Sequence, residues 1–239
     1  MKRLNPFFSY FGSKFRMAKH YPEPKYETIV EPFAGSAGYS LMYPDRKVIL
    51  YDNYEPVVRV WDYLIKADSS EILSLPLDLN GHAFCKEHPV SDCDIPEEAK
   101  LLLGFWLTES QTSASRYPLS KSRGGNWTER KRATIAKQVE FISHWKVESK
   151  SYEDVDNFEC TWFVDPPYVQ AGKRYVKKHI DYQKLSSWCM ERKGQTIVCE
   201  QSGADWLPFT TFLKTFNASN KKYEEVVWIN ETEENSEIK

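Results

Sequence analysis

Short apolar runs and longer periodic stretches alternate along the chain. Glu27-Thr-Ile-Val-Glu31, Lys47-Val-Ile-Leu-Tyr51, Cys160-Thr-Trp-Phe-Val164 and Gln195-Thr-Ile-Val-Cys-Glu200 are compact, apolar and rich in β-branched residues, the pattern of buried strands. Between the second and third runs the period changes. Val57, Val58, Trp61, Leu64 and Ile65 recur at helical spacing over 55–66, and from Ser69 to about Trp145 the pattern is largely helical. The clearest helices there are Glu97 to Leu107 and Glu129 to Phe141, separated by a polar, glycine-containing loop from Ser110 to Trp127. Strand-like character returns at Lys146 to Tyr152. A helix is expected over Asp181 to Arg192, then a hairpin of Thr210 to Phe216 with Tyr223 to Ile229.

Strand, helix, strand and helix in succession predict an α/β fold. Residues 1–54 and 146–239 are expected to form the sheet domain, with 55–145 as a mostly helical insert. Between the first two strands, Tyr39 to Tyr43 is expected to open a helix after the glycine turn Gly35-Ser36-Ala37-Gly38.

A chain of 239 residues with 41% hydrophobic content can bury a core of that kind. No apolar stretch approaches bilayer length and the N-terminus lacks a signal-like apolar region, so a cytoplasmic protein without a membrane partner is expected. Cys85, Cys93, Cys160, Cys189 and Cys199 show no CxxC pairing and read as reduced thiols. The net charge of −2 hides an uneven distribution. Arg116, Lys121, Arg123, Arg130, Lys131, Arg132 and Lys137 face only Glu129 in one stretch, whereas glutamates crowd the C-terminus. A local basic segment is what phosphate contact needs.

Two prolines stop the third run, giving Asp165-Pro166-Pro167-Tyr168 at the C-terminal end of a strand, where open α/β sheets bind ligands. A carboxylate there and the stiffly held carbonyl of Pro166 can each accept a hydrogen bond from an amino group, leaving the nitrogen lone pair free to attack. Tyr168 adds an aromatic face for stacking a flipped base. After the first strand, Glu31-Pro32-Phe33-Ala34-Gly35-Ser36-Ala37-Gly38 gives a turn that a nucleoside-bearing cofactor can approach closely, with an ordinary tight turn as the alternative. The next strand ends in Asp52-Asn53, where a carboxylate can hold ribose hydroxyls or simply be solvated.

With the N-terminal Tyr10-Phe11-Gly12-Ser13-Lys14, these motifs stand in an order that resembles the Dam-type group of S-adenosylmethionine-dependent DNA adenine-N6 methyltransferases. The resemblance covers the chain from end to end and implies a Rossmann-like methyltransferase sheet with helices on both faces and a target-recognition insert. It implies S-adenosylmethionine as cofactor: Tyr10 to Lys14 at its methionine end, Glu31, Pro32, Phe33, Ala34, Gly35, Ser36 and Gly38 as its cradle, and Asp52 with Asn53 at the ribose. Asp165 would meet the substrate amine and the cofactor, and Tyr168 would stack on the flipped adenine. The acid that the family places before the aromatic contacting the cofactor's adenine is replaced here by Ser151, leaving Tyr152 to pack on the ring. Double-stranded DNA is the implied partner of the enzyme, site-specific or promiscuous, and a restriction–modification setting is compatible with it; the oligomeric state is left open, with a monomer favoured.

The insert carries the DNA expectation in Arg116, Tyr117, Lys121, Arg123, Asn126, Trp127, Arg130 and Lys131, with a solvated charged loop as the alternative. For Trp127 the alternative is a staple at the start of the helix near Thr128. His82, Cys85, His88 and Cys93 lie close together but match no standard zinc spacing, and no metal is expected. Methylation of an RNA base or a protein glutamine, and a catalytically silent nucleic-acid-binding module, are the competing functions.

Overall fold

The computed structural model describes residues 3–77, 88–108, 111–116, 127–170, 180–216 and 222–231. Among the described residues, seven strands form one sheet: β1 (Thr28–Glu31), β2 (Lys47–Asp52), β3 (Lys146–Ser149), β4 (Cys160–Val164), β5 (Gly194–Gln201), β6 (Thr210–Phe216) and β7 (Lys222–Glu231). Their spatial order is β3-β2-β1-β4-β5-β7-β6. The first five are parallel, and β7 reverses against β5 and β6 against β7. The expected C-terminal hairpin is therefore present, with an irregularity between Thr211 and Leu213.

The helices are α1 (Glu55–Lys66), α2 (Ser69–Ser74), α3 (Glu97–Trp106), α4 (Glu129–Ala136) and α5 (Tyr182–Met190). Alternation along the central strands sorts their side chains onto two buried faces. Ile29, Phe163, Ile197, Cys199 and Val227 join Val57, Trp61, Leu64, Leu102, Phe105 and Ile135 in one apolar cluster. Val30, Trp162, Val164 and Val198 join Leu185, Trp188 and Cys189 of α5 in the other. Parallel strands covered on both faces read as continuous apolar runs rather than alternating ones, which is why β4 and β5 stand out in the sequence. The first face also buries Phe7 and Phe8, which meet Trp61 at ring-centroid distances of 5.7 and 5.4 Å. The described part of 55–145 thus shares its core with the sheet.

Three expectations about elements are corrected. No α-helix follows the glycine turn: Ser40–Met42 is a single 3-10 turn. The residue before a proline is pushed out of helical conformation, and Tyr43-Pro44 stops the chain there. The helix at Glu129 ends at Ala136, followed by a 3-10 turn at Val139–Ile142. Between them the buried Gln138 side chain accepts from the Asn5 backbone at 2.7 Å. The strand at Lys146 stops at Ser149, and Tyr152–Asp154 is another 3-10 turn.

The topology fixes where a ligand would sit. β1 leads to β2 on one side and β4 leads to β5 on the other, so β1 and β4 are neighbours whose connections depart in opposite directions. Beyond the carboxyl ends of such a pair the sheet leaves a crevice.

Candidate functional site

An open cleft lies in that crevice. Glu31, Phe33, Ala34, Gly35, Ser36 and Gly38 line it after β1, Asp52 and Asn53 after β2, and Asp165 and Pro167 after β4. Tyr10, Phe11, Ser13 and Lys14 come from the N-terminal loop. Four segments widely separated in sequence are thus brought together. Tyr54 and Phe163 also line the cleft and were not anticipated. Gly12, Pro32, Tyr152, Pro166 and Tyr168 do not line it. Tyr152 is buried behind Phe33, with ring centroids 5.3 Å apart, and Phe33 is the half-exposed aromatic face of the cleft.

The turn after β1 is held on every side. Gly35 lies in left-handed backbone at φ +44°, where a side chain is strained. Its N–H donates to Asp52 Oδ2 at 3.0 Å and its carbonyl accepts from the Trp61 indole at 2.8 Å. The other Asp52 oxygen accepts from the Tyr54 N–H at 2.9 Å. Burial raises the proton affinity of Asp52, and these backbone donors oppose it. Gly38 packs against the N-terminal loop: a Cβ there would lie 2.6 Å from the Phe15 nitrogen and 2.9 Å from Lys14 backbone atoms. The hydroxyls of Ser36 and Ser13 meet at 2.8 Å. The loop that carries Lys14 is therefore seated on the turn.

Lys14 reaches across the cleft, its ammonium 2.8 Å from Asp165 Oδ1 and 4.5 Å from the centroid of the Tyr168 ring. Burial lifts the Asp165 carboxyl to about 6, with Lys14 pulling it down and Glu225 pushing it up. Tyr168 is buried, and its hydroxyl donates to Glu225 Oε1 at 2.6 Å. The Pro167 carbonyl accepts from the Tyr182 hydroxyl, and the Val169 N–H donates to Glu200 at 3.2 Å. The segment after β4 is thus fixed on both sides. Glu31 is 2% exposed, and burial pushes its carboxyl up to about 8 against the donation it receives from the Ser40 N–H at 2.8 Å.

No family model and no curated protein matches this chain.

The residues expected to contact DNA are placed in three ways. Tyr117, Lys121, Arg123 and Asn126 lie outside the described residues. Arg116 and Arg130 are exposed. Trp127 is 5% exposed and its indole donates to the Pro76 carbonyl at 2.8 Å, so the expected DNA wedge is corrected to the staple preceding α4. The Lys131 ammonium is half-buried over the Trp106 ring, 3.8 Å from its centroid, and burial lowers its proton affinity to about 8. It braces α4 against α3. His82 and Cys85 are outside the described residues, and among the described residues no cluster has the makings of a metal site. No helix among them is long and apolar enough to cross a membrane.

Glu225 and Tyr21 complete the interior beneath Asp165 and were not anticipated. One signal was available for Glu225: Glu224 and Glu225 are consecutive in a strand, so one of them must point inward.

Proposed function

We propose that this protein is an S-adenosylmethionine-dependent methyltransferase with a Rossmann-like sheet, acting on the N6 amine of adenine in double-stranded DNA. The observation that carries the reading is the convergence in one cleft of the Tyr10–Lys14 loop, the Glu31–Gly38 turn, Asp52 and the carboxylate of Asp165.

The lining has the donor set that S-adenosylmethionine asks for. Asp52 stands at a strand end with two carboxylate oxygens suited to ribose hydroxyls, and Phe33 offers an apolar face for a purine. Gly35 lets ligand and backbone approach with no Cβ between them. Bound there, the cofactor would supply a methyl group already activated on a sulfonium. The protein's part is then positioning and hydrogen bonding. The adenine amine is a weak nucleophile because its lone pair is delocalised into the ring. Asp165 accepts an N–H of the amine, which favours a pyramidal nitrogen with its lone pair turned to the methyl group. As the amine takes the methyl group, the C–S bond would break to leave a neutral thioether and the nitrogen would become cationic; a carboxylate at Asp165 stabilises that charge, and the proton then passes to water. No covalent intermediate with the protein is needed.

Exposed Arg116 and Arg130, with the basic positions in 117–126, support a phosphate-contacting role for the segment from Arg116 into the first turn of α4. Competition distinguishes the acceptors: labelled methyl transfer from S-adenosylmethionine should be inhibited by unlabelled duplex DNA and not by RNA of the same sequence. Transfer that prefers RNA or a protein amide would replace DNA in this reading.

A further inference from the structure

On the sheet face formed by Phe163, Ile197, Cys199 and Val227, strand β7 places a carboxylate. Glu225 is 1% exposed, paired through the backbone with Gln201 of β5 and Leu213 of β6. Both Tyr21 and Tyr168 donate their hydroxyls to its Oε1, each at 2.6 Å, and the Lys14 ammonium lies 3.9 Å away. Two hydroxyls thus converge on one carboxylate oxygen. A charged group is a costly way to fill a sheet face, because its desolvation offsets much of what its partners contribute. Two of the three groups it holds are the site's own Lys14 and Tyr168.

The contacts form a chain. Glu225 fixes the Tyr168 hydroxyl, the Tyr168 ring carries the Lys14 ammonium on its face, and Lys14 is paired with Asp165. Lys14 therefore stands between two carboxylates at unequal distances, 2.8 Å from Asp165 and 3.9 Å from Glu225. Arrival of a substrate amine at Asp165 would compete with Lys14, and Glu225 is the second anion to which the ammonium can turn.

We propose that Glu225 is a positioning residue for the transfer, holding Tyr168 and offering Lys14 a second counter-charge so that Asp165 is released to bind the amine. This rests on the methyltransferase reading. The charge of Glu225 also bears on Asp165 itself, raising its proton affinity while Lys14 lowers it. The Tyr168 hydroxyl lowers the proton affinity of Asp165 from the same loop, and Tyr21 and Cys199 feel the Asp165 charge from below. Glu31 on β1 and Glu200 on β5 interact with it across the site.

Glu225→Gln in the full chain keeps the side chain's size and removes its charge. The expected result is a fall in kcat of about tenfold or more with cofactor affinity nearly unchanged, since the interaction acts in the transfer step. The acid limb of the pH profile, and the Asp165 carboxyl titration followed by carbon NMR, should both move to lower pH. Glu225→Asp retains the charge on a shorter arm, so it should keep the Asp165 titration near that of the unaltered protein while still slowing transfer. A lowered melting temperature with kcat and the Asp165 titration both unchanged would overturn the proposal and make Glu225 structural. An unaltered protein that methylates no adenine acceptor contradicts the methyltransferase reading and with it the catalytic role; the carboxyl titration separately decides whether Glu225 acts on Asp165.

Discussion

The Lys14 ammonium and the Asp165 carboxylate form a largely buried ion pair of 2.8 Å between the N-terminal loop and the end of β4. Removing one member of such a pair leaves the other uncompensated. Lys14→Met should destabilise the fold by about 3 kcal/mol and raise the Asp165 pKa above about 6. Chemical denaturation and carbon NMR of the carboxyl group check the two parts. An unmoved Asp165 titration would mean that the pair carries no electrostatic weight.

The seat between Gly38 and the N-terminal loop predicts that a single methyl group disrupts the cleft. In Gly38→Ala the new Cβ would sit 2.6 Å from the Phe15 nitrogen, backbone that cannot swing away like a side chain. The loop must shift, carrying Lys14 and Ser13 with it. Calorimetry should show S-adenosylmethionine binding weakened by about tenfold or more, and Gly35→Val should weaken it further because φ is +44° there. Unchanged affinity in both variants would mean that the turn has only a structural role.

Glu31 makes stability fall as pH rises. Its folded pKa of about 8 is above the ordinary carboxylate value of about 4.3, so the native state keeps a proton that the unfolded chain has released. The loss accumulates between those two values and levels off above pH 8, amounting to something on the order of 5 kcal/mol. Asp165, raised to about 6, adds a loss of the same sign confined to the lower part of that window. Glu31→Gln should flatten the stability profile between pH 6 and 8, as measured by denaturant titrations across pH. A profile of unaltered slope would show that Glu31 is ionised in the native state.

From Arg116 into α4, the buried Trp127 and the exposed Arg116 and Arg130 are expected to lose different things on substitution. Trp127→Ala should cost about 3 kcal/mol, seen as a lowered melting temperature, because the ring lies in the core and its indole donates to Pro76. Arg130→Ala and Arg116→Ala should leave the melting temperature alone, weaken DNA binding about equally across sequences, and lower the salt slope by roughly one unit each. Salt dependence unchanged in both arginine variants would remove this surface from the DNA interface.

The sheet was legible in the sequence because strands buried on both faces are written as unbroken apolar runs, as in β4 and β5. The cleft residues were legible for a related reason: turns that end such strands concentrate glycine, proline and acids, as Glu31–Gly38 and Asp165–Tyr168 do. What escaped depends on contacts between distant segments. Nothing local in Trp127 says whether its ring meets solvent or Pro76, and a lysine within a basic stretch gives no hint that Lys131 will lie over Trp106. Tyr168 is a comparable case: the motif marks the position, but its burial against Glu225 depends on a strand paired 57 residues later. The short turn at Ser40–Met42 had a visible cause in Tyr43-Pro44, and the helical expectation there gave it too little weight.

The central claim meets its most direct test in the nucleosides of duplex DNA incubated with the protein and S-adenosylmethionine, digested and analysed by mass spectrometry. The expected product is N6-methyladenosine as its deoxynucleoside, formed by the unaltered protein and reduced by a factor of at least about 100 in Asp165→Ala. Methylation absent from adenine, or equal in the Asp165→Ala protein, would contradict it.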